Sequence, residues 1–338
     1  MAQALQMENK NNLIEVRDLV VRFRTDEGIV SAVNSVSYDI PIGETVGTVG
    51  ESGCGKSVTS NAIMRILPEN GWIVSGSILF NSNLGVFDIA SLPEKDKRLE
   101  QLHGREMAMI FQEPMTSFCP VYTIGNQIIE SIRLHTQVPK SEWRNYAIEL
   151  LRKVKISKPE QRVDEYPYQL SGGMRQRAMI AMAIASNPRL LIADEPTTSL
   201  DVTVQAQILD LLKDLQEEMG MSMLMINHNF GIIAETCDSV AVMYLGRIME
   251  SASTADLLEN PKHPYTFDLF ESIPQVTDAR GRKLSYIKGS VPDAYSIPKG
   301  CSYHPRCKRM IKGLCDEQIP PVTDLGNSHV ASCFCLDA

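Results

Sequence analysis

The sequence predicts an α/β protein with a central, mostly parallel sheet, an antiparallel β region ahead of it, an inserted helical region and a small cysteine-rich extension. Three stretches carry this reading. Residues 50–57 read G-E-S-G-C-G-K-S, after the apolar run 45–49 and before a helix-compatible segment, 56–67. Residues 190–193, L-L-I-A, form a buried-strand run that ends in Asp194-Glu195-Pro196. Such runs suit parallel strands covered on both faces, and ligands of such sheets bind beyond the strands' C-terminal ends. Five cysteines, Cys301, Cys307, Cys315, Cys333 and Cys335, lie beyond residue 300, apart from Cys54, Cys119 and Cys237.

With 338 residues and 43% hydrophobic content, the chain suits one large domain, residues 1–260, and a smaller one, 261–338. A formal net charge of −8 argues against a sequence-independent nucleic-acid binder, so no nucleic-acid partner is expected. Residues 1–12 are polar and do not read as a signal peptide. No apolar stretch approaches the roughly 20 residues that span a bilayer, so any membrane connection is expected to come through a partner. A chain of this kind is expected in a reducing compartment, which argues against a disulfide scaffold.

In chain order, residues 13–23 and 30–40 are β-rich and flank the turn-like 25–28, which predicts an antiparallel hairpin. Phe23 closes the first strand, either as a platform for an adenine ring or as a buried strand residue. Residues 50–57 fit the P-loop pattern G-x-x-x-x-G-K-[ST] at every fixed position. Gly50, Gly53 and Gly55 allow backbone N–H groups to converge on a polyphosphate at a helix N-terminus. Lys56 would neutralise the β- and γ-phosphates, and the Ser57 hydroxyl would ligate Mg²⁺. Glu51, Ser52, Cys54 and Val58 complete this candidate nucleotide site, Cys54 as a tolerated variable position and not a redox centre.

Residues 73–80 and 107–111 read as strands, and Pro114 leaves Gln112 at a strand end where its amide could reach a metal or an attacking water. Ile124, Ile128, Ile129 and Ile132 have helical spacing, within a helical insertion of about residues 113–187. Ser171 is a good N-cap, and Gly172 and Gly173 expose the first N–H groups of the next helix, a second phosphate-binding end or simply a capped helix. Asp194 suits a Mg²⁺ shell, while Glu195 could polarise a water for in-line attack on a γ-phosphate. Asp201 is favourable near a helix N-terminus. The strand 222–226 delivers His228 to a strand end, as a structural residue or a γ-phosphate contact.

Beyond residue 272, Pro274, Pro292, Pro298, Pro305, Pro320 and Pro321 predict a tail that does not extend the main sheet. Its order would then come from another source, four thiolates of Cys301, Cys307, Cys315 and Cys333 around a metal centre, with Cys335 as an alternative to Cys333. Spacing leaves zinc, an iron–sulfur cluster and free thiols open.

The order P-loop, Gln112 loop, L-S-G-G-M, L-L-I-A-D-E-P, S-L-D and strand-end histidine resembles the ATP-binding cassette (ABC) ATPases. That resemblance implies an ATP sandwiched between residues 50–57 of one subunit and 171–173 of another, with Asp201 at the interface and His228 as the switch histidine. Residues 111–117 (F-Q-E-P-M-T-S), 197–207 (T-T-S-L-D-V-T-V-Q-A-Q) and 263–266 (H-P-Y-T) further resemble the D-type ATPase subunits of dipeptide and oligopeptide importers, the peptide/nickel family. This implies a second ATPase subunit, two membrane-spanning permease subunits and an extracytoplasmic binding protein, at the cytoplasmic face of the membrane. It also implies a [4Fe–4S] cluster on the tail motifs C-S-Y-H-P-R-C (301–307) and H-V-A-S-C (329–333). Carriers of nickel and of oligosaccharides share this ATPase type. One departure is Asn229, where the family usually has aspartate. Two other classes are a soluble cassette ATPase acting on nucleic acid or ribosomes and an ATP-linked iron–sulfur redox protein; the first typically has two cassettes or a long coiled coil, neither of which is found here.

Overall fold

The apolar runs 45–49 and 190–193 become strands of one parallel sheet, with the strand Ser222–Asn227 between them. The computed structural model describes residues 6–93, 95–113, 117–198, 200–272 and 287–336; Pro114, Met115, Thr116, Ser199 and Pro274 lie outside these ranges. Strands β1 (Asn12–Thr25) and β2 (Gly28–Pro41) form the expected hairpin, although β1 continues past Phe23 to Thr25. There follow β3 (Thr45–Val49), β4 (Gly71–Ser82), β5 (Gly85–Asp88), β6 (Met107–Ile110), β7 (Leu190–Asp194), β8 (Ser222–Asn227), β9 (Ser239–Tyr244) and β10 (Arg247–Ser253). The tail adds β11 (Thr323–Asp324) and β12 (Val330–Ala331). Among the described residues these strands make a four-stranded sheet, β2-β1-β4-β5, and an eight-stranded one, β11-β12-β10-β9-β3-β8-β7-β6. Pairing is antiparallel throughout the first and parallel from β9 to β6 in the second.

Strand periodicity divides the interior into two cores. Leu191 and Ala193 of β7 and Met223 and Met225 of β8 face the helical core, whereas Leu190, Ile192, Leu224 and Ile226 face the core shared with the antiparallel sheet. Both faces are therefore apolar, and each fully buried Leu or Ile contributes about 1.5–3 kcal/mol. The helical core receives Ile124, Ile128 and Ile132 from the helix Ile124–His135, which Thr123 caps by accepting from the Asn126 N–H. Helices Trp143–Lys153 and Gly172–Ala183 complete that side. The helix after the P-loop is Lys56–Ile63, shorter than the compatible segment, because Arg65 turns left-handed with φ 51°. No helix among the described residues is long and apolar enough to cross a membrane.

The tail corrects one expectation: it does extend the main sheet. Strand β12 pairs antiparallel with β10, Glu250 opposite Ala331 and Ser251 opposite Val330, and β11 pairs with β12. A proline removes a ladder donor only where it stands, and residues 322–336 contain none. Two short edge strands fit there. Buried Glu250 fastens the join by accepting from the Lys262 and His263 N–H groups at 2.7 and 2.8 Å and pairing with His329 Nε2 at 2.7 Å. Tyr244, Tyr265 and Tyr303 then stack tail against sheet, with ring centroids 4.8–5.3 Å apart.

Candidate nucleotide site and cysteine cavity

The glycine-rich loop leaves β3 where its strand is wholly buried, and enters the helix Lys56–Ile63 through Gly55. Gly55 has φ 102°, and a Cβ there would lie 2.4 Å from the Ala32 carbonyl oxygen, so no other residue fits this helix start. Gly50 and Cys54 are buried within the loop, Glu51 is half-buried, and Ser52 and Gly53 are exposed. Burial pushes the Cys54 thiol up, against the nearby Lys56 ammonium, so it packs as a small inert side chain. Lys56 is itself 6% exposed, and its ammonium donates to the carbonyls of Gly50 at 2.8 Å and Glu51 at 3.2 Å. It also meets Cys54 Sγ at 3.7 Å, and a buried cation held by two carbonyls and a thiol, with no carboxylate among these partners, suits a polyphosphate. Half-buried Val58 follows Ser57 on the first helical turn.

At the sheet's C-terminal edge, Ser57 Oγ donates to Asp194 Oδ1 at 3.1 Å. Burial raises the Asp194 carboxyl above its ordinary range, with the Ser57 hydrogen bond acting the other way. A divalent cation between hydroxyl and carboxylate would restore the charged form, so this pair fits Mg²⁺. Glu195 has φ 45°, a left-handed conformation that costs a glutamate about 1–3 kcal/mol. Its Oε1 lies 3.1 Å from His228 Nδ1, and its Oε2 accepts from Gln112 Nε2 at 3.2 Å and Thr198 Oγ1 at 2.9 Å. Three chain segments, at Gln112, at Glu195–Thr198 and at His228, thus meet on one carboxylate. Thr198 was not anticipated, and only its place three residues after Glu195 hinted at it.

Asn229 has a structural role in place of the expected aspartate. Its side chain caps the helix Phe230–Thr236 by accepting from the Gly231 N–H at 2.9 Å, which asparagine does as well as aspartate. Ser171 caps the helix Gly172–Ala183 and is exposed. Gly172 has room around it, but a Cβ on Gly173 would meet Val204 Cγ1 at 2.7 Å, so Gly173 lets this helix approach the helix Val202–Met219. Asp201 caps that second helix by accepting from the Thr203 and Val204 N–H groups. Ser171, Gly172 and Gly173 make no hydrogen bond to residues 50–57 among the described residues. Phe23 is half-buried, its ring packed against Gly71 of β4.

In the tail, Cys301, Cys307, Cys315, Cys333 and Cys335 line one small cavity together with His263 and His304, and all five are free thiols. Burial pushes the Cys301 thiol up to about 11 and that of Cys333 up to about 12, so a nearby cation is needed to make them thiolates at neutral pH. His263 Nδ1 accepts from the Tyr265 N–H, while its buried Nε2 has no partner among the described residues. Among the described residues, no three His, Cys, Asp or Glu side chains stand at metal-ligand separation.

This P-loop fold, with two carboxylates closing a central strand, defines the class as an ATP-binding cassette. Residues 33–198 match the family described as ABC transporter, and residues 249–315 match the oligopeptide/dipeptide transporter C-terminal region. A probable peptide ABC transporter ATP-binding protein of Sinorhizobium fredii is 46% identical over 95% of this chain and 94% of its own. The oligopeptide transport ATP-binding protein OppD of Bacillus subtilis is 43% identical over 96% of this chain and 89% of its own. A dimeric ATP-binding cassette in a post-hydrolysis state, bound to ADP and Pi, shares the fold with TM-score 0.63 and 24% identity over 71% of this chain and 98% of that one. The chain belongs to the ABC transporter ATP-binding proteins, in the branch that carries the oligopeptide/dipeptide C-terminal region.

Proposed function

We propose that this chain is the ATP-hydrolysing subunit of an ABC importer for di- or oligopeptides. The observation that carries the reading is the meeting of Gln112, Glu195, Thr198 and His228 beside the P-loop, in a chain that ends in the oligopeptide/dipeptide region. Residues 50–58 hold ATP, with Lys56 on the β- and γ-phosphates; Phe23 is half-exposed and available to stack on adenine. Ser57, Asp194 and the Gln112 carbonyl would hold Mg²⁺, whose chemistry is to neutralise the phosphate charge. Glu195 then takes a proton from the attacking water, and His228 and Gln112 fix the orientation of its carboxylate.

A second cassette completes the site, and this chain's own Ser171, Gly172 and Gly173 face the γ-phosphate that the partner holds, with Asp201 at the join; this is supported by the exposure of Ser171 and by the dimeric arrangement of a bacterial ABC transporter cassette of 25% identity. The partner ATPase differs from this chain in this reading, and two permease subunits and an extracytoplasmic binding protein supply the pathway. The protein then sits at the cytoplasmic face of the membrane. Residues 1–260 form the catalytic domain, with helical residues about 113–187, and 261–338 the extension.

In this reading Cys301, Cys307, Cys315 and Cys333, which line one cavity, hold a [4Fe–4S] cluster. Cys333 Sγ accepts the Cys335 N–H, as a thiolate would, whereas Cys335 Sγ donates to the Arg309 carbonyl. The unpartnered His263 Nε2–H suits a sulfide acceptor in that cavity. The cluster would tie together chain segments that carry few apolar residues; zinc is the alternative occupant.

The test is ATP hydrolysis by the assembled transporter in membranes. Binding protein loaded with di- or oligopeptide should stimulate phosphate release, and stimulation by nickel complexes or oligosaccharides alone would overturn the peptide assignment.

A further inference from the structure

The extension reaches the glycine-rich loop through the side chains of Arg306 and Tyr265. Arg306 Nη1 and Nη2 donate to Glu51 Oε2 and Oε1 at 2.6 and 3.1 Å, across 255 residues of sequence. The Arg306 side chain is 4% exposed and that of Glu51 26%. Arg306 also donates to Tyr244 Oη at 3.3 Å, and to the carbonyls of Lys288 and Ile287. Glu51 is held at its other end as well, since its N–H donates to Tyr265 Oη at 3.1 Å.

This arrangement bears on charge. A carboxylate on the loop that receives a triphosphate repels it, and burial lessens the screening that water would give. Lys56 sits on the Gly50 and Glu51 carbonyls, so any shift of Glu51 also moves the anchor of the phosphate-binding lysine. The fork of an arginine meets both carboxylate oxygens at once and cannot lose its proton, which a lysine cannot match.

We infer that Arg306 is a positioning residue for nucleotide binding: it neutralises and holds Glu51, and so makes the C-terminal extension part of the P-loop. The turn that carries it is held in place. The His304 N–H donates to the Cys301 carbonyl, the Arg306 N–H to the Tyr303 carbonyl and the Cys307 N–H to the His304 carbonyl. Tyr303 is fully buried against Tyr244 and Tyr265. The position of Arg306 is therefore set by the wall of the cysteine cavity. The inference rests on ATP binding at residues 50–58 and is independent of the cargo.

The experiment measures equilibrium binding of a fluorescent ATP analogue to the full-length protein, and ATP hydrolysis by the assembled transporter. Arg306→Gln should raise Kd about tenfold, and raise KM while kcat stays within about threefold, because an uncompensated charge is left on the loop. The double variant Arg306→Gln/Glu51→Gln should recover most of the lost affinity, which a merely structural role for Arg306 would not produce. Should Arg306→Gln fail to fold, Arg306→Lys carries the test: it keeps the charge but loses the fork, and Kd should rise about threefold. A wild-type Kd in the folded single variant, or a double variant that binds no better than Arg306→Gln, overturns the inference. Absence of binding by the wild-type protein would overturn the nucleotide-site reading beneath it, and the inference with it.

Discussion

Glu195→Gln isolates charge from shape at the centre of the site. The carboxylate is held by His228 Nδ1 at 3.1 Å on one oxygen and by Gln112 Nε2 and Thr198 Oγ1 at 3.2 and 2.9 Å on the other. A glutamine can keep its oxygen towards Gln112 and Thr198 and turn its NH₂ to a neutral His228. The geometry survives, so what is lost is the base. General-base assistance is worth about 10²–10⁴-fold, or roughly 3–5 kcal/mol of barrier. Phosphate release by the assembled transporter should therefore fall by about that factor, while ATP affinity stays within about threefold of wild type. A kcat within about fivefold of wild type would refute the assignment of the base to Glu195. A loss of affinity as large as the loss of kcat would show that Glu195 serves binding and not the chemical step.

Gly173→Ala places a methyl 2.7 Å from Val204 Cγ1 and should cost about 1–3 kcal/mol of stability by overpacking, read as a lower Tm; adding Val204→Ala should recover most of it, and an unchanged Tm would refute the close packing. In the tail, anaerobically purified Cys333→Ser should lose iron and visible absorbance while Cys335→Ser keeps both. The reverse pattern would exchange the two cysteines, and iron-free wild-type protein would remove the cluster.

The parts legible in the sequence are those whose chemistry is local. The P-loop declares itself through spacing, the Asp194-Glu195 pair through its place after a buried strand, and Ser171 and Asp201 through cap preferences, all within one turn or one strand end. Asn229 looked like a lost charge because its sequence neighbours hide the cap it makes with Gly231. Contacts between distant segments were not legible. No pattern links Arg306 to Glu51, 255 residues apart. The tail strands were missed because proline content describes a segment on average, whereas pairing needs only the few residues at Val330–Ala331 to be free of it.

The placement of β11 and β12 has a consequence for biosynthesis. The outermost pairs of the sheet and the partner of Glu250 come from residues 323–331, so the ribosome must release the chain through residue 331 before that edge can close. Until then the nascent chain presents β10 without its neighbour. A messenger truncated before the codons for residues 323–331 would therefore yield a product with an open sheet edge, a ready target for chaperones and proteases before any permease could recruit it.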